Sequence, residues 1–545
     1  MTLSNPPLSR LHRAALTLII ATGLGLRLAW PETTVFCEDQ VEACALAEDI
    51  AHGHWQTAGL INSGGFRNPP GFVYLLAAVW RLSSEPVSLV IFIAAANVLA
   101  VMFSAWLIRR WFSGTAAWWG TAFLAAGPWA IQYSRWIWAQ DLMFPAAVVV
   151  YWFLWRWTSL GKRWSATGVV LALALLMQIH LIGIVLTVAL ALLLIWRRRK
   201  LPLWPLAVGL VIAVASILPY LFDGHLAAPN ERRFGYEHFW RVVPAAAMSV
   251  SGLHWQLEFR DGYAAFAASL GWRRWPYELF MVVPVIVLAV AVVMGLGQVW
   301  RQRRAGPIAG QYPASWVTAL VVLIPLSFVL LGIRTSPTYL PIWYPLPFAL
   351  MGWSVARLSV RCQTTAPYPL VHGGRGNLLG PPGILGDTPG RQRGSSRGAS
   401  LIAPVLIAVL AVQLVFFAEQ LHYIHSRGGV PGSTIGRSYA GMKTDIAAVP
   451  PRLTASEVWM IYEGPSEIQD DPAAYLLRHA QVHNSIAGRQ LVRFRCWKGG
   501  DQAHDAVRML TESESPPDTA YLIHPWPATQ QMDGTIPRRL RPAGE

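Results

Sequence analysis

Residues 69–82 read PPGFVYLLAAVWRL, and whether this block crosses a membrane decides the topology of the whole chain. Its 14 residues would make roughly 21 Å of helix, short of the roughly 30 Å hydrocarbon core. Longer apolar blocks lie on both sides of it, at 13–30, 87–108, 114–131, 142–158, 165–179, 181–196, 203–222, 278–300, 314–333, 341–358 and 401–420. These are eleven candidate membrane helices in a chain of 545 residues that is 54% apolar and only 13% charged, a composition too greasy for a soluble enzyme of this length.

Charge placement arbitrates. If 69–82 does not cross and the N-terminus is cytoplasmic, the inside segments are 1–13, 109–113, 156–164, 197–202, 301–304 and 357–400. They hold 20 Lys/Arg and one acid, Asp387. If 69–82 crossed, Arg109-Arg110, the run from Arg197 to Lys200, and Arg301, Arg303 and Arg304 would all flip outward, against the positive-inside rule. The block therefore reads as a juxtamembrane or re-entrant helix on the outer face, started by Pro69-Pro70. The net charge of +15 becomes largely topogenic, which removes nucleic acid as a partner. The expected fold is all-α and polytopic, a transmembrane domain over 1–420 with an outer loop at 31–86 and a flexible Gly/Arg/Pro/Ser-rich cytoplasmic loop at 359–400. No cleavable signal peptide is evident: 13–30 lacks a clean small-x-small site and carries Arg27, so it reads as a retained span of a cell (plasma or inner) membrane protein.

After residue 420 the composition turns ordinary. EVWMIYEG, LVRFRCW and DTAYLIHPW alternate with DDPAAYLLRHAQVH and DAVRMLTES, which predicts a small extracytoplasmic α/β domain over 421–545. No nucleotide-binding loop, zinc-ligand repeat or nucleophile elbow occurs.

The outer connections collect the polar residues. Six acids, Glu32, Glu38, Asp39, Glu42, Glu48 and Asp49, lie in the first loop, followed by His52, His54, Arg67 and Asn68. Later connections add Arg135 and Asp141, then Gln178 and His180, then Arg334 and Tyr339. Carboxylates serve as general bases and arginines neutralise phosphate, here at the depth of a lipid headgroup. Each residue also has a plain structural reading. Asp39 and Glu42 fit a capping box, N-cap and N3 of the helix QVEACALAEDIAHG, and a capped start still exposes a carboxylate. Glu42 and Asp49, seven apart, read as one solvated face. His52 and His54 flank Gly53 as a helix-end turn, or as weak ligands for a divalent metal. Arg27 either snorkels or meets phosphate. The tryptophans at 136, 138, 152, 155 and 157 read as interfacial belt or packing. Cys37 and Cys44 read as small buried residues, because on one helix they stand roughly 10 Å apart, beyond disulfide reach.

In order, Arg27-Leu28, Asp39 with Gly53 fourteen residues on, Asn68-Pro69-Pro70, Ser134-Arg135 with Asp141, and Tyr339-Leu340 with Tyr344-Pro345 resemble the GT-C superfamily of polytopic glycosyltransferases. The likeness is to its protein-mannosyltransferase, aminoarabinose-transferase and RgtA/B/C/D-like branch, and spans about residues 15–358. It implies transfer of a sugar from a polyprenyl-phosphate carrier to an acceptor hydroxyl of a glycan, lipid or protein on the outer face, usually with inversion. In that reading Asp39 is the base, while Arg27, Arg67, Asn68, Arg135 and Arg334 meet the lipid phosphate, and Asp141, His180 and Tyr339 line the pocket. Metal dependence varies across the superfamily, so a divalent ion stays open beside the lipid-linked sugar itself. Two departures matter: the family's Asp-Glu is Asp39-Gln40, with Glu38 displaced to the other side and a second candidate base, and Asn68 stands where a Lys or His often precedes Pro-Pro. The competing reading is a transporter or lipid flippase, which predicts mid-helix charge and repeated broken helices. The chain shows almost no such charge and no internal repeat; a non-catalytic assembly factor would use the loop only to cap and pack.

Overall fold

The computed structural model describes residues 8–62, 66–196, 201–223, 240–253, 259–305, 312–333, 335–364, 397–430, 436–448, 457–463, 493–497 and 519–524. The chain is an α-helical, multi-pass membrane protein. Among the described residues, six helical stretches are long and apolar enough, by length and composition, to cross a bilayer.

The helices follow the apolar blocks. They are α1 (Arg10–Leu28), α2 (Glu38–Ala51), α3 (Gly71–Trp80), α4 (Pro86–Trp111), α5 (Gly114–Ala126), α6 (Pro128–Gln132), α7 (Met143–Thr158), α8 (Ser165–Ile179), α9 (Gly183–Trp196) and α10 (Leu203–Phe222). After these come α11 (Val242–Val250), α12 (Tyr263–Leu270), α13 (Arg274–Ala305), α14 (Tyr312–Leu330), α15 (Leu346–Thr364), α16 (Arg397–Arg427) and α17 (Tyr439–Ala448). Three outcomes differ from the sequence reading. The block 114–131 is not one helix: it breaks at Gly127-Pro128 into α5 and α6, because Pro128 has no N–H to continue the ladder and starts a new turn instead. The stretch between the apolar blocks 203–222 and 278–300 is not bare connection but contains α11 and α12, whose Val242, Ala245, Met248 and Phe266 are buried. Block 69–82 is only the ten-residue α3, packed against α2, with its start pinned: a Cβ on Gly71 would lie 2.7 Å from Gln178 Cβ.

Helices approach closely where glycine permits it. A Cβ on Gly352 of α15 would stand 2.3 Å from the Ala116 carbonyl of α5, and one on Gly23 of α1 would stand 2.2 Å from the Ala125 carbonyl. In lipid, such backbone contact is a main source of helix association. At one end of the bundle basic side chains lie over indole rings: Arg110 on Trp106 (5.4 Å), Arg156 on Trp152 (5.1 Å) and Arg357 on Trp353 (5.0 Å). Trp152 also packs on Phe103 and Trp155 on Trp106, while Trp136 is buried against Trp138 at 4.8 Å, so most of these indoles serve packing.

Beyond α16, β1 (Gly429–Val430) pairs antiparallel with β2 (Gly436–Arg437). Three further strands, β3 (Glu457–Glu463), β4 (Arg493–Trp497) and β5 (Thr519–His524), form a parallel sheet in the order β4-β3-β5. Parallel neighbours need crossover connections. Those crossovers, including the expected helices DDPAAYLLRHAQVH and DAVRMLTES, lie outside the described residues, as does most of the 359–400 loop.

Candidate functional site

The first loop is organised by its helix start, and not at the residue the spacing suggested. The N-cap of α2 is Cys37, and Gln40 at N3 reaches back, its Oε1 accepting from Cys37 N (3.0 Å) and Cys37 Sγ (2.9 Å). The Asp39/Glu42 box is thus corrected by two residues. Gln40, fully buried, does the capping that an acid would do at a drier cost in charge.

That shift leaves Asp39 in the first helical turn without capping duty. Among the described residues its carboxylate has no hydrogen-bond or ion-pair partner, and it keeps an exposed face. The protein packed around it nevertheless pushes its carboxyl above the usual carboxylate range by desolvation. Glu38 begins the same turn. Glu42 is not solvated as expected: it is half-buried and pairs with Arg67 Nη1 at 3.1 Å. Asp49 is exposed, 4.0 Å from His54, and Glu32 pairs with His425 at 3.5 Å. His52 Nδ1 donates to the Glu48 carbonyl (2.9 Å) at the end of α2, where Gly53 takes φ 97°. Neither histidine joins a ligand set: no group of three or more His, Cys, Asp or Glu that could hold a metal occurs among the described residues. Cys44 is buried and Cys37 half-buried, neither in a disulfide.

Two of the candidate arginines are committed to helix ends. Arg27, fully buried, donates to Gly23 O (2.8 Å), Ala125 O (2.9 Å) and Leu124 O (3.0 Å), closing the C-terminus of α5. Arg135 donates to Leu26 O, Trp30 O (3.0 Å) and Thr33 Oγ1 (3.1 Å), closing the C-terminus of α1. The pair is reciprocal, each guanidinium answering the orphan carbonyls and negative dipole of a neighbouring helix. A polar segment that reads as a surface loop therefore folds inward. Asn97 Nδ2, eleven residues into α4 and so roughly 16 Å from its start, donates to the Asp141 carbonyl at 2.8 Å. Asp141 is buried, with Oδ2 accepting from Trp136 N (2.9 Å) and Oδ1 unpartnered among the described residues.

The remaining candidates meet at the α8–α9 turn. Asn68 is buried: Nδ2 donates to Leu60 O (3.2 Å) and Oδ1 accepts from Leu181 N (3.1 Å), which ties the first loop to that turn. His180 Nδ1 accepts from Ile182 N (3.1 Å), so the ring presents its proton on Nε2. Burial pulls His180 down to about 4, keeping it neutral. Tyr339 lies beside it, ring centroids 5.7 Å apart. Arg67 is 40% exposed at its side chain, and its carbonyl accepts from Tyr220 Oη (2.6 Å). The structure thus gathers Glu42, Arg67, Asn68, His180 and Tyr339, and separately Glu32, Arg27 and Arg135. Arg334 lies outside the described residues. The residues the sequence reading missed are Glu85, His425 and Tyr439, which hold the loop from afar in sequence and carry no local motif.

No protein-family model matches this chain, and no curated protein matches it. Among solved structures it is similar to the crystal structure of ArnT from Cupriavidus metallidurans bound to undecaprenyl phosphate, at 14% identity and TM-score 0.48, over 93% of this chain and 92% of that one. It is similar to the cryo-EM structure of arabinosyltransferase EmbB from Mycobacterium smegmatis at 12% identity and TM-score 0.42, over 82% of this chain and 44% of that one. It is also similar to the apo oligosaccharyltransferase of Archaeoglobus fulgidus, at 12% identity and TM-score 0.44, over 85% of this chain and 64% of that one.

Proposed function

We propose that the chain is a membrane glycosyltransferase of the GT-C type, moving a sugar from a polyprenyl-phosphate-linked donor to an acceptor hydroxyl on the outer face of the membrane. The observation that carries this reading is Asp39, which stands in the first turn of α2, free of capping duty and held above the ordinary carboxylate range. The ordered motifs from Arg27 to Pro345 support it.

In this mechanism Asp39 takes the acceptor O–H proton as the acceptor oxygen bonds to the anomeric carbon. The bond from that carbon to the phosphate oxygen breaks, and polyprenyl phosphate leaves with the electron pair. Attack from the face opposite the phosphate inverts the centre. Glu38, adjacent in the same turn, is the alternative base. Arg67 meets the leaving phosphate directly, because its guanidinium is part-exposed and its side-chain bonds among the described residues, to Glu42 and to Gly59 O (3.2 Å), both leave from Nη1. Arg334 is the second cation proposed there. Arg27 and Arg135 add a through-space positive field while holding the helix ends, and Asn68 fixes the backbone beside the phosphate. Neutral His180, with Tyr339 and Asp141, shapes the pocket, His180 donating from Nε2 to a sugar or phosphate oxygen. The N-terminus is cytoplasmic and residues 421–545 form an outer α/β domain that meets the acceptor.

The test incubates membranes carrying the chain with labelled polyprenyl-phosphate sugars and measures released polyprenyl phosphate, in parent and Asp39→Asn. Loss of release in the variant is expected. Full activity in Asp39→Asn sinks the base assignment, and no transfer from any lipid-linked donor favours a transporter or an assembly factor.

A further inference from the structure

The loop that leads into α2 is held from outside itself. Val35 forms an antiparallel bridge with Ser438, and Tyr439 N–H donates to Thr34 O at 3.1 Å. The Tyr439 ring, 2% exposed, meets Phe36 edge-on at 5.2 Å. Its hydroxyl donates to Glu85 Oε2 at 2.8 Å, and Lys443 Nζ lies 3.2 Å from the same oxygen. Glu85 is the N-cap residue of α4, where a negative charge is favoured by the helix dipole. At the other end of the loop His425 pairs with Glu32 (3.5 Å), and its ring lies 5.8 Å from Trp30. Trp30 itself takes a left-handed φ of 45°, a conformation that a bulky residue keeps only where its surroundings hold it.

These contacts join three elements distant in sequence: the end of α16 with α17, the start of α4, and residues 30–36. Directly after the held stretch come Cys37, the cap of α2, and then its first turn with Asp39. The nine-residue connection between α1 and α2 holds only one short turn, at Pro31–Thr33, so the direction in which the first turn of α2 points depends on what grips residues 34–36.

We propose that His425, Ser438, Tyr439 and Lys443, acting with Glu85, form an intramolecular clasp on the loop before α2, and that Tyr439 and Glu85 are positioning residues for Asp39. This inference rests on the catalytic reading given above. The clasp also makes the start of the C-terminal region part of the membrane site: α17, which carries Tyr439 and Lys443, leads on toward the parallel strands.

Tyr439→Phe keeps the ring on Phe36 and removes only the hydroxyl that reaches Glu85. In the full-length protein, turnover of a labelled polyprenyl-phosphate sugar is expected to fall about tenfold, with donor KM within about twofold. A cysteine pair, Val35→Cys with Ser438→Cys, placed in the Tyr439→Phe background is expected to restore turnover when oxidised and lose it again on reduction. Hydrogen exchange of residues 34–40, read by mass spectrometry without any substrate, is expected to quicken in Tyr439→Phe. Unchanged turnover together with unchanged exchange overturns the clasp. If the parent turns over no lipid-linked donor, the catalytic reading fails, and the exchange measurement alone still decides whether the clasp exists.

Discussion

Replacing Arg135 by lysine separates a phosphate-binding arginine from one that closes a helix. Arg135 makes three hydrogen bonds, to Leu26 O, Trp30 O and Thr33 Oγ1, all buried. A lysine ammonium is a point donor on a flexible stem and cannot span the same fork, so about two of the three bonds are lost. Bonds to a charged donor contribute about 1.5–3 kcal/mol each, and the acceptors left behind are buried. Arg135→Lys should therefore destabilise the folded chain by about 3–6 kcal/mol. Arg27→Lys should behave alike, since its three bonds to Gly23, Leu124 and Ala125 are equally buried. Arg67→Ala removes a part-exposed ion pair and should change stability by less than about 1 kcal/mol. The assay is thermal unfolding in detergent, paired with polyprenyl phosphate binding by native mass spectrometry on the folded fraction. Expected are lowered melting with retained binding for Arg135→Lys, and near-parent melting with weakened binding for Arg67→Ala. If Arg135→Lys melts like the parent and loses lipid phosphate instead, the helix-closing reasoning is refuted.

Asp39→Asn should abolish transfer without lowering the melting temperature, because the side chain makes no partnered contact among the described residues. Since desolvation raises the Asp39 pKa and the base must be ionised, the acid limb of the pH–rate profile should lie above the ordinary carboxylate range, and a limb at or below that range argues for another base. His180 is held neutral, its pKa drawn from 6.5 to about 4, so the unfolded chain takes up a proton that the folded one refuses. Stability should then fall by up to about 1.4 kcal/mol per pH unit as pH drops from 6.5 toward 4, a loss that His180→Gln should abolish in acid melting curves. Gly352→Ala would put a Cβ 2.3 Å from the Ala116 carbonyl and should separate α5 from α15, at about 1–3 kcal/mol, seen as lower melting with an intact active-site loop.

The sequence by itself determined where the helices fall. Runs of apolar side chains must leave water, and within them the backbone can satisfy its own hydrogen bonds only as helix, so hydropathy reads out helix position one block at a time. The basic clusters are equally local, and their positions set the expected topology. Asp39 stood out only through the motif the chain resembles, Asp39 with Gly53 fourteen residues on, and its surroundings were not legible in the sequence. The partners of the polar side chains were not legible in this way. Arginine at 27 and at 135 fits phosphate, solvent or a carbonyl equally well until the neighbouring helix ends are in place, and the fold brings Ala125 and Leu26 to them. The capping residue moved from Asp39 to Cys37 because the burial of Gln40, a tertiary circumstance, favoured a neutral cap. Glu42 found Arg67 across 25 residues, and Glu85 found Tyr439 across 354. Short-range periodicity follows from the geometry of one helix, whereas the choice among donors and acceptors of similar chemistry depends on which ones the packed bundle brings within 3 Å.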